Sequence, residues 1–388
     1  MIIHKLQRLQ KSGKLFSGHT SINYGRDCVI RQGHQRKTPG RPGFLHLLLL
    51  QLLLILLPVL PVFAQTVLHW QEDLLGEPYE SAEIGLPDDY EGAVVMTLIR
   101  SLAGESPAGQ AALYVHGFGD YFFQRELGLR FNEQGYDFYA VDLRKYGRSH
   151  RSHQRLANVR DLGEYYEELD RSLAYIRSQG ADWIVLIGHS TGGLTTSLYA
   201  HDRGEEGQFD ALLLNSPFYD FNAGFLTRRV MLPFAAWRGG SNPDTEVEGS
   251  GLPSNYSRSI HRDLDGEWEF SREWKPDHTP INYGWIRAIR QGHKRVAGGL
   301  EIPVPVLVML SDHSNLETEW GEHFFRGDAI LNVDQIRSGA EKIESPDRRI
   351  EVIKDGMHDL ILSPEPVREE AYRVMGRWLE SVRPGGRE

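Results

Sequence analysis

Trp183–Gly193 reads W-I-V-L-I-G-H-S-T-G-G, and this stretch narrows the available folds more than any other in the chain. The short apolar run Trp183–Ile187 has the length and composition of a buried strand. It runs into Gly188-His189-Ser190-Thr191-Gly192, a G-x-S-x-G pattern, and Leu194–Ala200 then reads as the start of a helix. Strand, sharp turn and helix are the context a nucleophile elbow needs. The turn lifts one side chain off the end of a sheet, and flanking glycines are needed because a Cβ there would collide with neighbouring elements. Ser190 is the predicted nucleophile, with the Thr191 backbone N–H facing an oxyanion. The bare motif also turns up in glycine-rich loops, so the reading depends on what surrounds it.

The surrounding chain alternates strands and helices. Glu80–Leu86 and Ala93–Arg100 read as an early hairpin. Ala111–Val115 is the next buried strand and ends in His116-Gly117-Phe118-Gly119-Asp120. Tyr121–Glu133 reads as a helix stopped by Gly135, Asp137–Val141 as a strand, and Asp161–Arg177 as an amphipathic helix. Further strands are expected at Ala211–Leu214, Val304–Leu310 and Arg349–Ile353, with helices at Asp334–Ile343 and Pro364–Val382. This alternation predicts an α/β fold with a mostly parallel central sheet flanked by helices. It breaks once, at about 218–301. That segment is too long for a plain loop, and Trp237, Trp268, Trp274 and Trp285 suggest packing, so it is read as an inserted cap.

Acyl transfer requires a base in contact with the nucleophile, an acid that orients the base, and backbone donors for the oxyanion. The base is expected after the last strand, where Lys354-Asp355-Gly356-Met357-His358-Asp359 offers His358. The acid is expected after Val304–Leu310, and two residues compete. Asp312 lies two residues past that strand. Asp328 comes later, directly before an apparent helix, and its D-x-apolar-apolar pattern makes it the favoured candidate. The second oxyanion donor is the N–H of Phe118, where Gly117 and Gly119 allow close backbone approach. His116 reads as a structural hydrogen-bonding residue, and Asp142 and Arg144 as braces of a loop.

Charge and cysteine content remove several alternatives. The chain has 388 residues and a net charge of -10. Residues 1–64 are basic, so the remainder is more acidic still, which argues against nucleic acid as a partner. The single cysteine, Cys28, falls in the basic leader, leaving the body without a disulfide, a thiol nucleophile or a cysteine metal site. No G-x-G-x-x-G follows a strand and opens a helix, which excludes a dinucleotide-binding enzyme. Phe44–Ala64 is mostly leucine, closed by Pro58 and Pro61, and Val62-Phe63-Ala64 offers small residues before Gln65. Basic region, apolar region and small-residue site describe an export signal. Residues 1–64 are therefore expected to be a signal peptide or signal anchor on an exported chain, periplasmic or secreted, with the apolar segment offering membrane association. Residues 65–388 form the predicted folded domain.

Four motifs together, Y-V-H-G-F-G-D, D-L-R-K-Y-G-R-S, G-H-S-T-G-G-L and G-M-H-D before a closing helix, resemble the α/β-hydrolase superfamily. More narrowly they resemble the monoacylglycerol lipase / lysophospholipase branch, grouped with the serine aminopeptidase S33 type domain, over roughly Tyr79 to Leu379. The resemblance implies a Ser–Asp–His hydrolase with a cap, no metal and no cofactor. Ser190 and His358 match the family's nucleophile and base, and Phe118 and Thr191 its oxyanion donors. Lys145 stands where the family has Gly, and the acid loop begins Ser311-Asp312-His313-Ser314 where G-x-x-D is usual. The expected activity is hydrolysis of a small-molecule or lipid carboxylic ester. A peptidase or acyltransferase on the same residues, and a non-catalytic binding protein of the same fold, are the alternatives.

Overall fold

The computed structural model describes residues 68–104, 108–247 and 254–383. The leader expected at residues 1–64, Cys28 and the expected export signal lie outside the described residues.

The central sheet has nine strands in the order β1-β2-β3-β5-β4-β6-β7-β9-β11. These are β1 (Gln71–Glu72), β2 (Glu80–Asp89), β3 (Gly92–Ser101), β4 (Gln110–Val115), β5 (Asp137–Asp142), β6 (Trp183–His189), β7 (Ala211–Asn215), β9 (Val306–Ser311) and β11 (Arg348–Ile353). The first three strands and the β3–β5 pair are antiparallel, and every pair from β5 onward is parallel. β8 (Leu300–Glu301) and β10 (Ile343–Glu344) pair separately. Helices α1 (Arg125–Glu133), α2 (Tyr166–Ser178), α3 (Thr191–Arg203), α4 (Leu232–Arg238), α5 (Ser254–Ile260), α6 (Tyr283–Gly298), α7 (Val333–Ala340) and α8 (Glu365–Val382) complete the order.

The inner strands are continuous apolar runs because both faces of the sheet are covered. Alternate residues serve different layers. Leu113 and Val115 of β4, Ile184 and Leu186 of β6, and Val306 and Val308 of β9 pack with Leu169 and Leu173 of α2 and Leu194 and Leu198 of α3. Tyr114, Val185, Ile187, Leu307 and Met309 face the opposite side, against Leu127 and Phe131 of α1 and Met375, Trp378 and Leu379 of α8. Each large side chain buried this way contributes about 1.5–3 kcal/mol relative to exposure.

Several element boundaries differ from the sequence expectation, each for a local reason. The helix expected from Tyr121 starts at Arg125, because Asp142 Oδ1 takes the Phe122 N–H at 2.9 Å and the Gln124 side chain turns inward to Asp359. The helix expected over Asp161–Arg177 opens as a 3₁₀ turn at Leu162–Tyr165, capped by Asp161 and Glu164 in a reciprocal box. The helix expected to reach Ile343 stops at Ala340, and Ile343 pairs with Leu300 as a strand. β9 begins at Val306, not Val304, because Pro305 has no N–H to give a ladder.

Of the four tryptophans expected to pack in the 218–301 segment, Trp285 is buried and Trp268 and Trp274 join a small aromatic cluster with Tyr121 and Phe123. Trp237 departs from the expectation and is 67% exposed. It sits on α4, which packs on α6.

Candidate active site

In this sheet the chain leaves β4 for β5 on one side and returns to β6 on the other. The order reverses beside β4, and the crevice outside the carboxyl ends of strands at such a point is where open α/β sheets bind ligands. Both the His116–Asp120 turn and Ser190 lie there. Ser190 has φ 52° and ψ −115°, a conformation that costs a non-glycine residue about 1–3 kcal/mol. Surrounding structure holds it: its N–H donates to the Asn215 carbonyl at 3.1 Å, and its own carbonyl accepts from Leu194 and Phe218. The flanking glycines are obligatory by contact. A Cβ on Gly192 would lie 2.3 Å from the His116 carbonyl oxygen, and one on Gly188 would lie 2.7 Å from that of Gly192.

His358 Nε2 lies 3.1 Å from Ser190 Oγ, and His358 Nδ1 lies 2.9 Å from Asp328 Oδ2. With Nδ1–H donating to the carboxylate, Nε2 is left to accept from the serine hydroxyl, so the carboxylate sets the tautomer. Asp328 is fully buried, and its Oδ1 accepts the N–H groups of Ile330 and Leu331 at 2.9 and 2.7 Å. Asp312 is not at His358. It takes a hydrogen bond from the Asp355 N–H and pairs with His313 on a partly exposed face. The distance of Asp328 from the strand in sequence misleads because the intervening loop closes on itself. Ser314 and Asp328 form a parallel bridge, with Asn315 N–H to the Asp328 carbonyl and Asp328 N–H to the His313 carbonyl. The excursion between them is thus short-circuited, and Asp328 stands beside the end of β9. Asp312, His313 and Asp355 bring ligand-type atoms within 4.8 Å of one another, and Asp312 already pairs with the His313 ring and accepts the Asp355 backbone N–H.

Thr191 is the first residue of α3, where an N–H has no partner within the helix. Phe118 follows Gly117, whose added Cβ would lie 3.1 Å from that of Ser190, so this turn rests directly on the serine. His116 donates from Nδ1 to the Gly117 carbonyl and accepts the Leu143 N–H at Nε2, and burial holds its pKa below the ordinary value. Both nitrogens are committed to the backbone. Asp142 joins Arg148 to the Phe122 backbone, and Arg144 makes a paired contact with buried Glu168, at 2.6 Å from Nε to Oε1. Lys145 has φ 67°, the left-handed region that favours glycine. Its buried ammonium reaches Asp89 and Glu91 at 2.6 and 2.9 Å, which gives a lysine a reason to occupy it.

Two features at the site go beyond the sequence expectation. Asp359, next to the histidine, accepts from Asn215 Nδ2 at 2.7 Å and Gln124 Nε2 at 3.0 Å, pinning the histidine loop to the sheet. Asp120 pairs with Lys275 at 2.9 Å, both nearly fully buried. Burial is the largest influence on Asp120 and would raise its pKa, but the Lys275 ammonium, its hydrogen bond and the nearby His189 and His116 together hold the carboxyl below its ordinary value. Asp120 was visible at the end of the His-Gly turn; Lys275, about 150 residues away in a segment without motifs, was not.

These groups line a cavity of about 310 Å³. Ser190, His358, Phe118 and Thr191 form its floor. Phe218, Phe221, Ile281, Trp285, Ile330 and Leu331 supply apolar walls, and Lys275 with Asp120 the one buried charge pair.

Residues 106–365 match the model of the family described as serine aminopeptidase, S33. Among solved structures, a soluble variant of the monoglyceride lipase from Saccharomyces cerevisiae in complex with a substrate analog aligns with a TM-score of 0.55 at 16% identity, covering 83% of this chain and 98% of that one. The monoacylglycerol lipase from Paleococcus ferrophilus aligns with a TM-score of 0.55 at 20% identity, covering 75% of this chain and 99% of that one. At such identities the likeness concerns the fold. No curated protein matches the chain in sequence. The family match spans well over half of the chain and contains the elbow, the acid loop and the histidine loop, so the chain belongs to the serine aminopeptidase S33 family of α/β-hydrolases.

Proposed function

We propose that the chain is a serine hydrolase that cleaves carboxylic esters, with lipid esters as the substrate class. The observation that carries this reading is the continuous Ser190–His358–Asp328 hydrogen-bonded line at the floor of an apolar cavity. Ser190 Oγ attacks the ester carbonyl as His358 Nε2 takes its proton. The oxyanion is held by the N–H groups of Phe118 and Thr191. His358 returns the proton to the departing alcohol, leaving an acyl-serine, and a water activated by the same histidine releases the acid. Asp328 orients the imidazole and stabilises its cationic form. The aromatic and aliphatic walls suit an acyl chain, and two structural relatives are named as monoglyceride and monoacylglycerol lipases.

The family's description favours a second reading, cleavage of an aminoacyl amide. A free α-amino group needs an unpaired carboxylate in the cavity, and the carboxylate in place, Asp120, is taken by Lys275. A fluorophosphonate probe should label Ser190, and p-nitrophenyl esters should be hydrolysed in preference to aminoacyl p-nitroanilides. No labelling, or labelling unchanged in Ser190→Ala, defeats the hydrolase reading; faster anilide cleavage favours the peptidase.

The 218–301 segment, which lies between β7 and β9 and contributes Trp285 and Lys275 to the cavity, is read as a cap that selects the substrate. Residues 1–64 are read as an export leader. The mature chain isolated from outside the cytoplasm should begin at Gln65, and a chain that still begins at Met1 rules out cleavage.

A further inference from the structure

A second and larger cavity, of about 660 Å³, lies on the far side of Phe221, a residue that belongs to the walls of both. Its character is opposite to that of the first. Five cations line it: Arg228 and Arg229 from the turn before α4, Arg290 and Lys294 one helical turn apart on α6, and Lys342 after α7. Two carboxylates are present, Asp220 and Asp334, and Asp220 is already paired with Arg228. His293 also lines the cleft but adds no charge at neutral pH, since burial pushes its pKa down to about 3 and it donates to the Phe218 carbonyl.

The decisive feature is what these cations lack. Among the described residues, Arg290 and Lys294 form no hydrogen bond or ion pair. Many arginines of this acidic chain do find carboxylates, among them Arg144, Arg148, Arg160, Arg177 and Arg295. A half-buried guanidinium without a partner, facing other cations across a concavity, is a donor fork awaiting an anion. A guanidinium matches two oxygens of a phosphate at once, and neighbouring ammonium groups add charge without demanding geometry. A cleft of this volume is in the range of small-molecule sites, about 300–1,000 Å³, and holds a phosphate together with an organic group.

We propose that this cleft is a binding site for a phosphate group carried on a small organic ester or a lipid headgroup, with Arg290 as its principal ligand and Lys294 and Arg229 as supporting charges. Both sources share the chemistry. The lipid source draws on the apolar side chains beside Arg228 and Arg229, where Phe225, Leu226, Val230 and Met231 are all more than half exposed.

The test is binding and not turnover, so it stands apart from the hydrolase reading. Glycerol 3-phosphate is titrated into the protein at constant ionic strength by calorimetry, with glycerol as the control, and co-sedimentation is measured with phosphatidylglycerol and phosphatidylcholine vesicles. Saturable binding of glycerol 3-phosphate but not glycerol, weakened at least tenfold in Arg290→Gln, supports a soluble phosphate ester. Selective binding to phosphatidylglycerol vesicles, lost in Arg290→Gln, supports the lipid headgroup. Added salt should weaken either, because the cations are solvent-accessible. Lys294→Gln, at an exposed position without a hydrogen-bond or ion-pair partner among the described residues, decides the matter if Arg290→Gln does not fold, and should weaken binding severalfold. Binding to neither probe, or binding that both substitutions leave unchanged, overturns the proposal.

Discussion

Ser190→Ala is expected to lower kcat on a p-nitrophenyl ester by about 10⁶, and His358→Ala by a similar factor, since residues that act as a unit are not additive. The informative comparison is between the two aspartates. Asp328→Asn should cost about 10⁴ in kcat, because an amide in place of the carboxylate no longer enforces the Nδ1–H tautomer nor balances the imidazolium. Asp312→Asn should stay within a few-fold of the parent. The reason is geometric: Asp328 Oδ2 is 2.9 Å from His358 Nδ1, whereas Asp312 spends its carboxylate on Asp355 and His313. Steady-state kinetics on the four variants, with circular dichroism to verify folding, checks the assignment. An Asp312→Asn variant as impaired as Asp328→Asn would transfer the orienting role or show that it is shared.

Lys275→Met is expected to destabilise the protein by about 3–5 kcal/mol, the usual penalty for leaving one buried charge without its partner. The pH dependence should also change sign locally. In the parent, the folded pKa of Asp120 is depressed below 3.8, burial being outweighed by Lys275 acting together with His189 and His116. Its contribution to stability is therefore present above the unfolded carboxylate pKa and fades as pH falls through the lower folded value. Without Lys275, burial dominates and raises the folded pKa above the unfolded one. Stability is then best preserved in acid and is lost as pH rises through the ordinary carboxylate range. Thermal melts of the parent and Lys275→Met as a function of pH test this. The double variant Asp120→Asn with Lys275→Met should recover much of the loss, since no bare charge remains. A Lys275→Met variant as stable as the parent at neutral pH would mean that the pair contributes little and that water reaches Asp120.

The elbow was legible because its chemistry demands residues that a sequence displays: a buried apolar strand, two glycines that cannot carry a Cβ, and a serine between them. His358 was legible by position, after the last strand and before the closing helix. Helix starts and stops were less so. The onset of α1 at Arg125 depends on the Asp142 and Asp359 carboxylates reaching in from distant loops, and local propensity does not register them. Composition alone does not place Trp237, because a tryptophan supports a core only when another element covers it.

Sequence by itself determined the α/β alternation and the strand–turn–helix at Ser190, since each rests on periodicity or on backbone conformations open to few residue types. Only the tertiary structure set Asp328 and not Asp312 against His358, joined Asp120 to Lys275, and gathered Arg228, Arg290 and Lys342 around one cleft. Those relations depend on which loop ends close against one another. The Ser314–Asp328 bridge brings the favoured aspartate back to the end of β9, and no local pattern encodes a hydrogen bond between residues whose proximity is created by the rest of the fold.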